Sequence, residues 1–293
     1  MRVGLNISTS AAPGADPVAD ARLAEELGFD FVSVSDHLHG TSPTYETWTL
    51  LTWLAAATSR IGIATRVLGQ PYRNPAVVAK MAESLDRLSG GRLVLGLGGG
   101  YSDEEFRGFG VPVPTPRDKV DGLAEAVRIV RGLWSEPAFT FQGRIYRTDG
   151  AELTPKPQRR IPIWLGTYGP RALEVTGRLA DGWIPSLGFA PPQEAVALGR
   201  RVRAAAEAAG RNPDEITFAY NVGVRISAEV PSPSTVVGSA DRVAEQLLEF
   251  GALGFTTLNL IPLGPDDERD QVQRLAAEVL PALREGTTVS RAS

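Results

Sequence analysis

The sequence predicts a closed (β/α)8 barrel, a TIM barrel, with one β-hairpin inserted between its fourth and fifth strands. Short apolar runs typical of buried parallel strands recur along the 293 residues and alternate with longer segments that carry helical caps. A chain of this length suits a single α/β barrel. No linker or low-complexity segment divides it. We therefore expect one domain over residues 1–285 and a disordered tail over residues 286–293.

The first half of the chain supplies four strands, each followed by a helix. The strands are predicted over residues 2–8, 29–34, 60–67 and 92–96. The first helix begins with Asp16 as N-cap and Pro17 as first helical residue, and it ends at Gly28. The next three helices are predicted over residues 46–58, 75–89 and 116–134, the last of them after a loop that starts at residue 98.

The alternation breaks after residue 134 and then resumes. Residues 139–146 predict a β-hairpin that turns at Gln142 and Gly143. Four further strands are predicted over residues 163–166, 181–185, 216–222 and 256–261. The helices between and after them are predicted from Pro170 and over residues 192–209, 241–250 and 267–284. Strands and helices that alternate in this way indicate a closed parallel barrel.

The composition excludes several classes of function. The formal net charge is -4 and no basic tract is mixed with aromatic residues, so we expect no nucleic-acid partner. The chain has no cysteine, which excludes disulfides, thiolate chemistry and cysteine-bound iron–sulfur clusters. An apolar run of about 18 residues and a charged leader are both lacking, so we expect a cytoplasmic protein without a membrane anchor.

His37 and His39 are the only histidines, and they follow the second predicted strand. Active sites of parallel α/β barrels lie at such strand ends, so Asp36 and His37 are candidate catalytic residues. The alternative is a hydrogen-bonded structural histidine. The two histidines also have the spacing of a metal-binding pair, but no third histidine exists, and we predict no catalytic metal.

Two glycine-containing strand ends are candidate ligand-binding segments. Glycines at residues 96 and 98–100 allow a ligand to approach the backbone closely, although a flexible turn would have the same composition. At Thr167, Tyr168 and Gly169 a strand ends where Pro170 begins a helix. Amides at a helix N-terminus bind anions, so a ligand phosphate fits there as well as an ordinary turn does.

The end of the third strand carries arginines. Arg66 follows Thr65 directly, and Arg73 lies in the next loop. Either side chain could reach an anionic ligand. The residues alone favour the simpler interpretation, in which both arginines lie at the surface.

Taken together, these segments resemble the bacterial luciferase-like flavin and deazaflavin oxidoreductases over nearly the whole chain. The matching stretches read VSDH, PYRNP, LSGGRLVLGLG, FQGR, PIWLG and ADGW, at residues 34–37, 71–75, 88–98, 141–144, 162–166 and 180–183. The resemblance implies a barrel with a flavin-type cofactor across the C-terminal mouth and a small-molecule substrate above it. It leaves the substrate itself open.

The resemblance also implies roles for individual residues. The cofactor ring would meet Asp36 and His37, and the strand-three end would supply a non-proline cis peptide between Arg66 and Val67. The remaining cofactor-binding residues that it implies are Thr65, Gly98, Gly99, Gly100, Thr167, Tyr168 and Gly169. His37, oriented by Asp36, would handle the proton that accompanies a hydride. Asn6, Trp48 and Tyr101 are candidate residues of the substrate pocket.

Within this family the sequence looks most like the branch that uses the deazaflavin coenzyme F420 for hydride transfer. The alternatives are an FMN-dependent monooxygenase, which would need a separate flavin reductase, and a non-catalytic flavin- or deazaflavin-binding protein. The F420-dependent sugar-phosphate dehydrogenases place a glutamate after the glycine run and a tryptophan after the histidine, where this chain has Tyr101 and Thr41. That difference argues against the same acid–base set. Relatives are often dimers, so a homodimer is also expected.

Overall fold

Eight parallel strands close into a barrel, as the sequence predicts. The computed structural model describes residues 1–38, 40–228, 234–264 and 268–289. The barrel strands are β1 (Arg2–Asn6), β2 (Phe31–Val34), β3 (Gly62–Thr65), β4 (Leu93–Gly98), β5 (Ile163–Gly166), β6 (Gly182–Trp183), β7 (Thr217–Ile226) and β8 (Thr257–Pro262). Each strand pairs with its neighbour in chain order, and β8 pairs with β1 to close the ring.

Helices cover the outside of this barrel. They are α1 (Pro17–Glu26), α2 (Thr47–Ala57), α3 (Pro75–Leu88), α4 (Pro116–Ser135), α5 (Pro170–Leu179), α6 (Pro192–Ala208), α7 (Ala240–Ala252) and a last helix, α8, that runs over Glu268–Arg274, a π-helical turn Leu275–Val279 and Leu280–Val289. Short 3-10 helices lie at Gln70–Tyr72 and Pro213–Glu215. Within the described ranges, no helix has the length and apolarity needed to cross a membrane.

The helices begin where the sequence places their caps. The Asp16 side chain accepts a hydrogen bond from the Ala19 amide at the start of α1, and Gly28 ends that segment with a φ of +84°. Asn74 caps α3 in the same way. Thr115 and Asp118 form a capping box at the start of α4. These local signals explain why most helix boundaries could be predicted.

The core has two parts. A large apolar layer fills the space between the strands and the helices. A smaller cluster fills the inside of the barrel, where the rings of Phe31 and Trp164 meet edge to face with centroids 5.9 Å apart. Gly4 and Gly182 make room for these two rings, because a Cβ atom at either glycine would lie within 2.3 Å of a ring atom. The lower part of the barrel is therefore packed, and any ligand site must lie above it.

The inserted hairpin differs from the prediction in its turn. Its antiparallel strands are Phe139–Gln142 and Arg147–Ala151, so the predicted two-residue turn at Gln142 and Gly143 is wrong. The longer turn has a clear cause. Glu125 on α4 accepts hydrogen bonds from the amides of Arg144, Ile145 and Tyr146 at 2.7–2.9 Å. These amides cannot join a strand ladder while the carboxylate binds them.

Besides the two 3-10 helices, one helix and two strands, all short, lie where the sequence predicted none. A helix, Asp103–Gly108, lies inside the predicted loop after β4. The two-residue strand Leu68–Gly69 pairs with β4, and the strand Thr235–Gly238 pairs with the extended end of β7. The disordered tail predicted over residues 286–293 stays a prediction. Helix α8 continues to Val289, and residues 290–293 lie outside the described ranges.

Three glycines form a furrow in the wall of the barrel mouth, and Val67 fills it. The peptide bond between Arg66 and Val67 is cis, as the resemblance implied. A Cβ atom would lie 3.1 Å from the Val67 side chain at Gly96, 2.7 Å at Gly98 and 3.2 Å at Gly166. At Gly96 it would also lie 2.0 Å from the carbonyl oxygen of Thr65. The glycines of β4 and β5 therefore allow the end of β3 to press against the wall.

Replacing Gly96 by alanine should destabilise the protein. The new methyl group meets backbone rather than a flexible side chain, so we expect the free energy of unfolding to fall by roughly 1–3 kcal/mol, the usual cost of overpacking. Gly40→Ala is the matched control, because nothing lies within 4 Å of a Cβ atom there. Urea unfolding of both variants measures the effect. An unchanged unfolding free energy for Gly96→Ala would contradict this account of the furrow.

Candidate active site

An open cavity of about 390 Å³ lies at the C-terminal mouth of the barrel. Its volume is in the usual range for a small-molecule site. The residues that line it are Asp36, His37, Arg66, Val67, Gly69, Tyr72, Gly98, Gly99, Gly100, Tyr101, Gly166, Tyr168, Ile184, Ser186, Phe189 and Asn221. Most of the residues predicted from the sequence are among them. The site lies where strand ends meet in a parallel barrel, as expected.

The buried carboxylate of Asp36 holds the rim of this cavity together. It accepts hydrogen bonds from the amide of Gly69 at 2.8 Å and from both terminal nitrogens of Arg73, at 2.8 and 3.2 Å. The prediction that Asp36 orients His37 is therefore wrong. The oxygens of Asp36 are engaged by the loop after β3, and the Nδ1 of His37 is bonded to another carboxylate. Arg73 is likewise not a free cation for a ligand.

Arg73 also joins Asp36 to the start of α2. Its second terminal nitrogen lies 2.5 Å from a carboxylate oxygen of Glu46, the N-cap residue of that helix. Burial raises the pKa of the Glu46 carboxyl, but hydrogen bonds from the amides of Thr49 and Trp48 and from Arg73 outweigh it and lower the pKa. Glu46 is thus held as a carboxylate. The Arg73 charge is shared between two carboxylates and fully compensated.

His37 pairs with Glu105, a residue that the sequence analysis did not single out. Its Nδ1 lies 2.8 Å from a carboxylate oxygen of Glu105, whose other oxygen accepts a 2.5 Å hydrogen bond from the Tyr72 hydroxyl. Burial, together with the hydrogen bond to Glu105, raises the pKa of Tyr72, so its hydroxyl keeps its proton. Glu105 is buried, whereas the side chain of His37 is 53% exposed. The carboxylate is the fixed partner, and the imidazole reaches into the cavity.

The short helix Asp103–Gly108 brings Glu105 to this place. Ser102 caps it, its side chain accepting the amide of Glu104 at 3.2 Å. Phe106, which is completely buried, anchors it against the ring of Tyr72, with centroids 4.7 Å apart. A serine followed by three acidic residues is a helix-start signal. The sequence therefore contains a signal for this short helix. It contains no signal for the contact between Glu105 and His37.

Arg66 lies on another side of the cavity. Its Nε donates a 2.8 Å hydrogen bond to the side-chain oxygen of Asn6, at the end of β1. Burial lowers the pKa of Arg66 to about 10, so it is still charged near neutral pH. Asn6 therefore supports a cavity residue and does not itself line the cavity.

A line of polar side chains crosses the barrel below the cavity. Asn221 donates to the hydroxyl of Ser186 at 3.1 Å and accepts from Asn259 at 2.9 Å. Asn259 in turn accepts from Ser33 at 2.9 Å. The sequence analysis did not single out these residues, because each lies inside an apolar strand pattern or a loop. They satisfy one another and bring polar atoms to the floor of the mouth.

Aromatic side chains form the upper rim. Tyr101 and Phe189, with ring centroids 5.8 Å apart, are 70% and 59% exposed. Tyr168 contacts Phe189 at 5.7 Å, and His37 meets Tyr101 edge to face at 6.3 Å. Clustered apolar surface at the rim of a cavity is typical of a contact with a ligand or partner.

The predicted phosphate-binding turn precedes α5. Gly169 is the N-cap residue of this helix, no side chain caps it, and nothing lies within 4 Å of a Cβ atom there. The hydroxyl of Tyr168 accepts the amide of Ser186 at 3.0 Å, which turns its ring toward the cavity side. Thr167 is buried and bonded to Thr176 at 2.7 Å, so its hydroxyl is not available to a ligand.

Two further predicted residues lie away from the cavity. The hydroxyl of Thr65 is buried and donates to the carbonyl of Gly96 at 2.7 Å, so it joins β3 to β4. Trp48 lies on α2 and packs against the main core. His39 lies outside the described residues, and so does the metal pair considered for it. Within the described ranges, no three His, Asp or Glu side chains come together as a metal site.

The arrangement can hold and move a proton. With Nδ1 of His37 donating to the Glu105 carboxylate, Nε2 is the free nitrogen and can accept a proton from a bound molecule. The glycine wall allows a flat group to approach the backbone. Such a mouth suits a small organic molecule and a proton transfer.

The fold and site define an α/β barrel with its working end at the C-terminal mouth. A family model described as luciferase-like monooxygenase matches residues 1–229. The chain belongs to this luciferase-like family. The recognition made from the six sequence stretches is confirmed.

Individual relatives give the range of the family. An F420-dependent glucose-6-phosphate dehydrogenase from Kineococcus radiotolerans is 37% identical over 213 residues, 70% of this chain and 62% of that protein. The chain thus matches less than two thirds of that relative's length. A solved F420-dependent secondary alcohol dehydrogenase with an F420-acetone adduct has a TM-score of 0.87 at 22% identity, covering 97% of this chain and 99% of that one. The structure of monooxygenase RslO1 from Streptomyces bottropensis has a TM-score of 0.83 at 22% identity, covering 97% of this chain and 100% of that one. These two structures confirm the fold.

Replacing Arg73 by methionine should strongly destabilise the protein. It leaves the Asp36 carboxylate buried with only the Gly69 amide as a partner, and breaking a buried pair in this way costs about 3–5 kcal/mol. The double variant Asp36→Asn, Arg73→Met should recover much of that loss, since no buried charge remains. Arg117→Met, at an exposed ion pair, is the control and should change stability by about 0.5 kcal/mol or less. Denaturant unfolding distinguishes these outcomes, and a double variant no more stable than Arg73→Met would refute the explanation.

Proposed function

We propose that this protein is an oxidoreductase that transfers a hydride between coenzyme F420 and a small organic substrate bound at the barrel mouth. The observation that carries the proposal is the Glu105-supported imidazole of His37 beside a glycine-walled cavity. The relatives named F420-dependent dehydrogenases support the choice of cofactor. When bound, the deazaflavin supplies a ring carbon that gives or accepts a hydride.

The residues of the mouth fit such a cofactor. Gly98, Gly99 and Gly100 line the cavity with backbone alone, and a Cβ atom at Gly100 would lie 2.5 Å from the Phe106 ring. The end of β3, at Arg66 and Val67, lines the cavity beside them and would lie against the flat ring. The uncapped start of α5, at Gly169, would hold the phosphate through its backbone amides.

The protein residues would handle the proton. Glu105 fixes the Nδ1–H tautomer of His37, which leaves Nε2 to take a proton from a substrate hydroxyl or return one to a carbonyl. Tyr72 donates to the second oxygen of Glu105 and keeps that carboxylate in place. Asp36 acts one step further away, by fixing the loop that carries Tyr72. The aromatic rim would help to exclude water from the reacting atoms once cofactor and substrate fill the open mouth.

The alternative within the family is a monooxygenase that uses reduced FMN from a separate reductase. The names of the sequence relatives favour F420 over it. The third possibility, a cofactor-binding protein without activity, is disfavoured because the His37–Glu105 pair is intact. A small-molecule substrate follows from the cavity. Homodimerisation stays a prediction.

Titration of the purified protein with F420 and with FMN tests the cofactor. We expect F420 to bind at micromolar concentration or below and FMN to bind much more weakly, followed by the change in F420 fluorescence and by calorimetry. Tight FMN binding without F420 binding would overturn the proposal. Oxygen uptake with supplied reduced FMN would then identify the monooxygenase.

Replacing His37 by alanine should slow turnover while leaving F420 affinity within a few-fold. Loss of a general acid–base group typically lowers the rate by about 10²–10⁴-fold. Glu105→Gln should give a smaller loss, since Nε2 remains but its tautomer is no longer fixed. Arg107→Gln, on the same short helix but exposed, is the control. An unchanged kcat in His37→Ala would remove His37 from the mechanism.

A further inference from the structure

Arg66 is a cation in the cavity without a counter-ion. Among the described residues, its only side-chain partner is the amide oxygen of Asn6, which accepts from Nε. No carboxylate of the described chain is close enough to raise its pKa, which burial lowers. Within the described ranges, the two terminal nitrogens of the guanidinium have no hydrogen-bond acceptor. These nitrogens are not among the fully buried unpaired atoms of the described residues, so a ligand in the cavity that Arg66 lines can reach them.

The nearby carboxylates cannot compensate this charge. Asp36 is engaged by Arg73 and Gly69, and Glu105 is engaged by His37 and Tyr72. Both acidic groups are hydrogen-bonded within their own networks, and neither forms an ion pair with Arg66. Arg66 is thus a charged group of the cavity that no described carboxylate contacts. A desolvated cation gains most from an anion brought by a ligand.

Asn6 sets the orientation of the Arg66 guanidinium. By accepting from Nε it fixes the plane of the guanidinium and leaves the two terminal nitrogens as a pair of parallel donors. That geometry matches the two oxygens of a carboxylate. The other arginine of the rim, Arg73, uses the same fork on Asp36, with bonds of 2.8 and 3.2 Å.

The rest of the cavity is suited to an apolar body. Tyr101 and Phe189 are the exposed aromatic residues of the rim, and Tyr168 continues their surface. Aromatic faces of this kind pack well against a flat ring or a conjugated chain. The mouth therefore combines one charged recognition point with an aromatic surface.

We propose that the substrate, on the basis of the hydride-transfer function above, is an aromatic or conjugated compound that carries one carboxylate. Arg66 binds the carboxylate, and Tyr101 and Phe189 cover the flat body. Arg66 is then a specificity-determining residue. The same anion could come from an acidic group of the cofactor, and the experiment separates these two sources.

Matched probes test the inference directly. Benzoate and cinnamate are compared with benzamide and cinnamamide, which have nearly the same shape without the charge, and with glucose 6-phosphate. Binding is measured by calorimetry on the wild-type protein, with and without saturating F420. We expect each acid to bind about tenfold or more tightly than its amide, as for a charge-assisted bidentate pair. Equal binding of acids and amides, or preference for the sugar phosphate, would overturn the proposal.

Variants then assign the preference to Arg66. Arg66→Gln should abolish the difference between acid and amide, Arg66→Lys should retain part of it, and the exposed Arg107→Gln should retain all of it. F420 affinity and the melting temperature are measured for each variant. A large loss of F420 affinity in Arg66→Gln, with the acid preference intact, assigns the anion to the cofactor and overturns the inference. Failure of the wild-type protein to bind F420 instead overturns the proposed function. The acid preference measured without F420 then supports carboxylate recognition by Arg66 if Arg66→Gln abolishes it, and its absence overturns the inference as well.

Discussion

The buried carboxylate of Asp36 is the interaction on which the site depends. It fixes the Gly69 amide and the Arg73 guanidinium, and so it fixes the loop that carries Tyr72 between them. Tyr72 then sets the position of Glu105, and Glu105 sets the tautomer of His37. The buried carboxylate of Asp36 is costly unless it is fully hydrogen-bonded and paired. The loop that supplies its partners is therefore held in one arrangement. Asp36, just after β2, thus influences the position of the His37 imidazole through three successive contacts.

Much of the barrel could be predicted because its signals are local. Caps such as Asp16, Asn74 and Thr115 mark helix starts within a few residues of their effect. The hairpin turn could not be predicted, since it depends on Glu125, which lies on a different helix. Turn residues predict a turn only where no distant acceptor competes for the amides.

The candidate site was located correctly at a strand end, but its internal contacts were not. His37 and Glu105 are 68 positions apart, and Arg66 and Asn6 are 60 apart. One sequence without a fold says nothing about such pairs. Adjacency along the chain suggested that Asp36 orients His37, whereas Asp36 pairs with Arg73 and His37 pairs with Glu105. The place of these residues in the fold could be predicted, but their hydrogen-bond partners could not.

The glycine furrow has a consequence for how this protein can change. Gly96 and Gly98 face backbone or the Val67 side chain at distances that admit no additional atom, so this wall tolerates almost no replacement. The side chains of Tyr101 and Phe189, by contrast, are exposed at the rim and can be replaced without such a clash. New substrate contacts are therefore easier to build through Tyr101 and Phe189 than through the glycine wall. A change of specificity can then leave the Val67 contacts of the barrel intact.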